Sequence, residues 1–362
     1  MKTLAIETSC DDTSLAIISY KNWFFDVEKI LLHSQIAEHT KFGWVIPELA
    51  SRLHESKVID LLDEIWIEEI KKVDFISYTC CPGLPWSLLV GRTLANTLSL
   101  FLEKKLTPVH HINWHILSIL CDENINNIQF PFIALTVSGW HNNLYIIENT
   151  KEENNIDELA SYTEQLQNNY SLNQDDIITK IWNLKITKIW FTLDDAAGEV
   201  FDKVSRMLGW PYPGGKRIWD KAKLWKKMNF DFPRIWLKKK EFNFSFSWLK
   251  ASANYKIQEI KKEMWEDLDE QTICNISYEF EQAVVETLWK KLLKASKHFW
   301  IENIALVGGV SANEELKIFI INHKEKFKIK NFYTPKKNLY STDNAAMIWV
   351  AGIIENLDSN NK

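Results

Sequence analysis

Lys2-Thr3-Leu4-Ala5-Ile6-Glu7-Thr8-Ser9-Cys10-Asp11-Asp12-Thr13-Ser14-Leu15-Ala16-Ile17-Ile18-Ser19 holds two short apolar runs, residues 2–7 and 14–19, on either side of a turn built from hydroxyl, thiol and carboxylate side chains. Runs of this length bounded by turn residues read as the two strands of a hairpin. Such a polar strand-turn-strand opening suits a phosphate group or a metal ion. The plan recurs about 130 residues later, where Phe132 to Ser138 and Asn143 to Ile147 bracket Gly139-Trp140-His141. Two copies of one supersecondary plan predict a duplicated fold. The stretches that follow fit an α/β organisation. Residues 47–69 read as a helix, with Leu49, Leu53, Val58, Leu61 and Leu62 near helical spacing, and Asp74 to Tyr78 begins a strand that ends at Pro82-Gly83-Leu84-Pro85. Further on, Glu279 to Lys297 has long helical periodicity. Ile304 to Val307 is a strand leading into Gly308-Gly309-Val310-Ser311-Ala312-Asn313, where a glycine pair ahead of a helix lets backbone N–H groups approach an anion. The Asn-, Glu- and Gln-rich stretch at 148–180 reads as a surface insertion with a short helix.

Length and composition narrow the function classes. A chain of 362 residues that is 46% apolar can bury a large core, and its length favours two domains. The five cysteines form no C-x-x-C spacing, so neither a disulfide framework nor a zinc ribbon is indicated, and a reducing cytoplasmic compartment is expected. No leader-like segment opens the chain and no run of ~18 apolar residues follows, so no membrane association is expected. The net charge of −5 argues against a wholly basic nucleic-acid-binding domain and leaves room for local patches such as Lys238-Lys239-Lys240 and Lys324 to Lys330.

Seventeen tryptophans against eleven glycines invert the usual ratio. Glycine ordinarily makes up ~7% of residues, and reading every tryptophan as glycine would restore about that figure. Several of the indoles, Trp44, Trp86, Trp140 and Trp248 among them, stand in loop-like runs where a turn would ask for glycine. The expectation is that UGA codons are read as glycine in the source.

Two features carry chemistry. His111 and His115 are four apart, which places both imidazoles on one helical face, able to chelate one ion. Zinc-protease chemistry lacks its base, because Ile112 follows the first histidine where H-E-x-x-H needs glutamate. The second feature is the run Thr192-Leu193-Asp194-Asp195-Ala196-Ala197-Gly198-Glu199-Val200-Phe201-Asp202-Lys203, followed by Tyr212-Pro213-Gly214-Gly215. Taken with Glu7 to Thr13, Val45 to Arg52, Phe244 to Lys250, Gly308 to Asn313 and Ser341-Thr342-Asp343-Asn344-Ala345-Ala346-Met347, it resembles the TsaD family of tRNA N6-adenosine threonylcarbamoyltransferases, once labelled O-sialoglycoprotein endopeptidases. The match runs in order from residue 3 to about residue 352.

The resemblance implies an α/β, two-lobed actin, sugar-kinase and Hsp70-like (ASKHA) fold with duplicated lobes. It divides the chain into an N-terminal lobe at 1–128, a C-terminal lobe at 129–343 and a C-terminal helix at 344–362 packing back on the first lobe. It supplies Asp343 as a third ligand beside His111 and His115 for one divalent ion, iron ahead of zinc. It maps substrate binding onto Thr136, Val137, Ser138, Gly139, Trp140, Asp202, Gly215 and Asn313, and Asp11 is expected nearest the reacting centre. The implied reaction moves the threonylcarbamoyl group of threonylcarbamoyl-AMP to N6 of adenosine 37 in tRNAs reading codons that begin with A, releasing AMP. Partners of the TsaB and TsaE type are implied as well. Competing readings are a small-molecule kinase of the same architecture, which would not need the metal trio, and a TsaB-like scaffold, which lacks it. Two departures stand out: Cys81 occupies the place of the first glycine in the family's Gly-Pro-Gly-Leu, and Trp219 that of an acidic ribose contact. Trp86, Trp140, Trp190, Trp248 and Trp300 each match a family glycine.

Overall fold

The computed structural model describes residues 1–139, 141–151, 156–170, 177–226, 232, 243–264 and 268–359. Trp140 and Lys238 to Lys240 lie outside the described residues. The first sheet is built from β1 (Lys2–Glu7), β2 (Asp12–Lys21), β3 (Phe24–Ser34), β4 (Phe75–Cys81), β5 (Lys105–His110) and β6 (Glu123–Asn124) in the order β5-β4-β1-β2-β3-β6. The second comprises β7 (Phe132–Val137), β8 (Asn142–Asn149), β9 (Ile178–Ile181), β10 (Leu184–Trp190), β11 (Asn303–Val307) and β12 (Asn331–Tyr333) in the order β12-β11-β7-β8-β10-β9. In each, a central hairpin is flanked by a further antiparallel strand on one side and two parallel strands on the other. The duplication read from the two hairpins is therefore a duplication of whole sheets. The copies differ at one edge: β6 follows β5 in the chain, whereas β9 precedes β10.

Alternation along β1 explains how the first sheet is covered. Leu4 and Ile6 pack with Val58, Leu61, Ala95 and Leu98 from α1 (Pro47–Glu64) and α2 (Pro85–Leu102), while Ala5, paired with Ala16 across the hairpin, faces the other way. Those two small side chains let the C-terminal helix Ala345–Ser359 lie close on β1 and β2. Its Ala345 N–H donates to Ser14 Oγ at 3.0 Å, and the Asn344 side chain accepts from Ala346 N at 2.9 Å as its N-cap. One continuous core joins this helix to both sheets, through Ile116 and Leu117 on one side and Phe132, Ala134, Ala305 and Val307 on the other.

Some boundaries differ from the sequence reading. The helix expected over 47–69 stops at Glu64, where Ile65 turns extended, and a separate short helix spans Ile67–Ile70. Within the stretch at 148–180 the described parts pack into the fold. β8 runs to Asn149, and the helix Asp157–Tyr170 buries Leu159, Tyr162 and Leu166 in the core of the second lobe.

Among the described residues, three of the seven non-glycine residues with positive φ are tryptophans. Trp23 (φ 66°) follows Asn22 in the β2–β3 turn, Trp182 (φ 51°) makes the β9–β10 turn, and Trp300 (φ 55°) ends the helix Glu270–Phe299. Such backbone costs an L-residue roughly 1–2 kcal/mol and costs glycine nothing comparable. Asn-Gly hairpins and glycine helix ends are the ordinary solutions at these places. Trp300 is 86% exposed, so no packing offsets the strain.

Candidate metal centre and ligand cleft

β5 ends at His110, and the short helix His111–Leu117 starts at once, anchored in the core by Ile116 and Leu117. Its first turn presents His111 and His115 on one face, ring centroids 5.0 Å apart. The third group arrives from the far end of the chain: Asp343 immediately precedes the Asn344 cap of the C-terminal helix, so packing that helix on β1 and β2 delivers the carboxylate to the histidines. Asp343 Oδ1 lies 3.5 Å from His111 Nε2 and 3.1 Å from His115 Nε2. All three ligand atoms fall within 4.8 Å of one another.

A second layer orients His111. Its Nδ1 is 3.2 Å from Ser9 Oγ and 3.6 Å from Glu7 Oε2. Glu7, fully buried, is itself held by Ser9 N and by a short hydrogen bond from Thr79 Oγ1. This is the outer-shell carboxylate arrangement that fixes a ligand histidine with the other nitrogen turned to an ion. Burial works against protonating His111, but Asp343 and Glu7 outweigh it and push its pKa up to about 10. The paired imidazoles in turn hold the Asp343 carboxyl well below the usual carboxylate range against the effect of burial. Two imidazoles and a carboxylate packed so closely fit a divalent cation and leave coordination positions open.

Asp11 sits in the β1–β2 turn, its backbone carbonyl accepting from Gln35 N at 3.0 Å. The turn is further tied by buried His54, whose Nε2–H donates to Cys10 O at 2.9 Å while Nδ1 meets Thr13 Oγ1 at 2.7 Å. Burial, then Asp343, raise the Asp11 carboxyl above its ordinary pKa, and burial with Asp11 pushes Asp12 up to about 8.

The second lobe contributes a more open turn. Thr136 and Val137 are buried at the end of β7, and Ser138 N donates to His141 O at 2.9 Å. Apart from its chain neighbours, no heavy atom of the described residues lies within 4 Å of where a Cβ on Gly139 would be. Gly198, in the first turn of the helix Ala197–Met207, donates its N–H to Ser138 O at 3.2 Å, and a Cβ there would come 2.6 Å from that oxygen. The helix end is thus seated on the turn. Asp202, on the same helix, accepts from Gly214 N at 2.7 Å and Gly215 N at 3.2 Å; burial raises its carboxyl. Asn313 uses both ends of its amide within the fold, accepting from Leu316 N at 2.8 Å and donating to Glu281 Oε1 at 2.6 Å. Beside Gly215 and Asn313 opens a cavity of about 530 Å³ lined by Lys216, Trp219, Tyr278, Glu281, Ala312 and Glu315. The lobes meet across the cleft where Thr40 Oγ1 donates to Tyr212 O at 2.8 Å and Arg206 Nη2 to Gly43 O at 2.5 Å.

Glu7, Ser9, Thr79, His54 and Gly198 have roles that the sequence reading did not assign. Glu7 was visible as a carboxylate closing an otherwise apolar strand; the others act through partners remote in sequence.

Among the described residues, no helix is long and apolar enough to cross a membrane. The family described as "TsaD: tRNA N6-adenosine threonylcarbamoyltransferase" matches residues 27–170 and 179–350. A protein of that name from Buchnera aphidicola subsp. Schizaphis graminum is 39% identical over 97% of this chain and 92% of its own length. Its counterpart from Prochlorococcus marinus is 34% identical over 97% and 90%, and one from Persephonella marina 36% over 97% and 89%. Among solved structures, full-length HypF in a phosphate- and nucleotide-bound form superposes with a TM-score of 0.53 at 14% identity, covering 98% of this chain and 55% of that one. That likeness supports the two-lobed ASKHA fold.

Proposed function

The chain belongs to the TsaD family, and from that premise we propose that it is a tRNA-modifying acyltransferase that moves a threonylcarbamoyl group onto N6 of adenosine. The observation that carries the reading is the match to transferases of that name over nearly the whole chain. The donor is threonylcarbamoyl-AMP and the acceptor adenosine 37 of tRNAs that read codons beginning with A.

The exocyclic amine of adenine is a weak nucleophile because its lone pair is delocalised into the ring. The site must hold the donor carbonyl in reach, keep water out and take up a proton. The turn Thr136, Val137, Ser138, Gly139 and Trp140 receives the donor, with Gly139 leaving its backbone open to close approach. The cavity that takes the nucleoside end is lined by the chain neighbours of Gly215 and Asn313, namely Lys216, Ala312 and Glu314, and Asp202 holds the Gly214-Gly215 backbone next to it. Asp11 accepts the proton from N6 as the new N–C bond forms and the bond from the carbamoyl carbon to the phosphate oxygen breaks, releasing AMP. Its raised pKa makes it a stronger base than an ordinary aspartate. His111, His115 and Asp343 would hold one divalent ion, iron ahead of zinc, and such an ion would polarise the donor's oxygens and offset the charge that develops on them.

The division into lobes at 1–128 and 129–343 with a C-terminal helix, a cytoplasmic location, and TsaB-like and TsaE-like partners complete the proposal. The test is direct. The purified chain, loaded with metal, is incubated with threonylcarbamoyl-AMP and unmodified tRNA, and the nucleosides are analysed after digestion. Equal amounts of threonylcarbamoyladenosine and AMP support the reading; phosphoryl transfer from ATP to a small molecule, with unmodified tRNA, refutes it in favour of a kinase.

A further inference from the structure

Cys80 and Cys81 are adjacent, yet their sulfurs lie 3.3 Å apart. In a regular strand successive side chains point to opposite faces, which keeps neighbouring thiols apart. Here the register of β4 against β5 shifts between Thr79, paired with Val109, and Cys81, paired with His110. Cys80 is the extra residue of a bulge, and the bulge turns both thiols to one side. Cys81 is exposed together with Pro82 and Gly83, so a soluble oxidant can reach it. We propose that Cys80 and Cys81 form a reversible dithiol–disulfide switch wired to the metal centre.

The chemistry balances with a low-molecular-weight disulfide such as glutathione disulfide as oxidant. The Cys81 thiolate attacks one of its sulfurs, forming a mixed disulfide and releasing one thiol. The Cys80 thiolate then attacks the Cys81 sulfur and displaces the second thiol. Two electrons pass from the protein to the oxidant, and the two protons leave on the released thiols. A disulfide bond is about 2.05 Å long, so the sulfurs must close by roughly an ångström. The remaining cysteines are poorly placed to compete: burial raises the thiols of Cys10, Cys121 and Cys274 above the ordinary range.

Both flanks of the bulge touch the shell around His111. On one side Thr79 Oγ1 donates to Glu7, which faces His111 Nδ1. On the other, Leu84 N donates to Ser9 O at 2.8 Å, and Gly83 packs so closely that a Cβ would lie 2.6 Å from that oxygen; Ser9 Oγ in turn meets His111 Nδ1. Ring closure at 80–81 moves both flanks at once. Loss of outer-shell partners of a ligand histidine typically costs ~10–100-fold in metal affinity or activity, and an effect of about tenfold is expected here.

Only the effect on transfer rests on the proposed activity; the thiol chemistry and metal retention can be read without it. The metal-loaded full chain is treated with glutathione disulfide, mapped by non-reducing peptide mass analysis, and assayed for bound metal and transfer before and after dithiothreitol. The switch predicts a peptide spanning Cys80 and Cys81 lighter by two hydrogens, weakened metal retention and about tenfold slower transfer, all reversed by reduction. Cys81→Ser, folded and active, should be indifferent to the oxidant. A glutathione adduct that stays on Cys81, or a closed ring with metal retention unchanged, overturns the proposal. Should the ring close and release metal in a chain that never transfers, the switch stands and the activity reading falls.

Discussion

The β1–β2 turn and the β7–β8 turn occupy the same position in two sheets of the same topology, yet they have become opposites. The first is acidic and tied at several points: Glu7 by Thr79 and Ser9, Cys10 and Thr13 by His54, the Asp11 carbonyl by Gln35. The second is short and uncharged, and open at Gly139, resting on the end of one helix through Gly198. Duplication supplied one frame twice. In the proposed function the first copy fixes the groups that react and the second leaves room for a ligand.

If that division holds, damage to the two turns should read out differently. The largest effect is expected from His111→Ala, which removes a ligand held by the first turn: metal retention and transfer should fall together, transfer by at least ~100-fold, the scale of losing electrostatic stabilisation of the transition state. Metal analysis beside the transfer assay checks it, and retained metal would break the comparison. Gly198→Ala attacks the second turn by pushing a methyl group towards Ser138 O. It should raise KM for the donor about tenfold with metal content unchanged, since the positioning of the ligand is what it disturbs.

His54→Ala leaves the Cys10 carbonyl and the Thr13 hydroxyl unpaired in a buried place, a cost of ~1–3 kcal/mol per group. Thermal or urea unfolding should show the loss, and His54→Gln, which can donate to Cys10 O, should recover part of it. The second lobe adds a pH dependence of its own. Burial pushes Glu281 up to about 7 even with Asn313 donating to it. An unfolded glutamate titrates near ~4.3, so the folded state holds the proton more tightly, and this group's contribution to stability declines as pH rises from about 4 to about 7. In Glu281→Gln a urea-melt series across the range should lose the share of the decline that belongs to Glu281, while the share from Asp12, pushed up to about 8, persists. The smallest effect is Trp300→Gly, at the end of the helix Glu270–Phe299: with φ at 55° and the indole exposed, it should stabilise the chain by ~1 kcal/mol. A loss of stability there would count against reading the tryptophans as recoded glycines.

What could be read in the sequence was local. The hairpins declared themselves by two apolar runs around a polar turn, and the histidine pair by its helical spacing. Asp343 had no local signature, because its partners lie on the other side of the molecule; it was found only through the resemblance, on the Ser341 to Met347 motif. The links of Thr79 to Glu7 and of His54 to Cys10 are single contacts between distant segments, and no periodicity encodes them. The bulge at Cys80 was hidden for a similar reason, since an extra residue in a strand shows only against its pairing partner. Asn313 offered a donor and an acceptor on paper, and the fold engages both, with Leu316 N and Glu281. The tryptophans were legible in composition alone, and three of them at left-handed backbone gave that count a physical reason.

Whether the first turn and its histidines act through a bound ion is decided by stripping the chain with a chelator and titrating iron or zinc back while following transfer from threonylcarbamoyl-AMP to unmodified tRNA. Transfer should disappear on stripping and return in proportion to bound metal, saturating at one ion per chain, with His111→Ala recovering neither. Full transfer by the stripped chain would contradict a role for the ion.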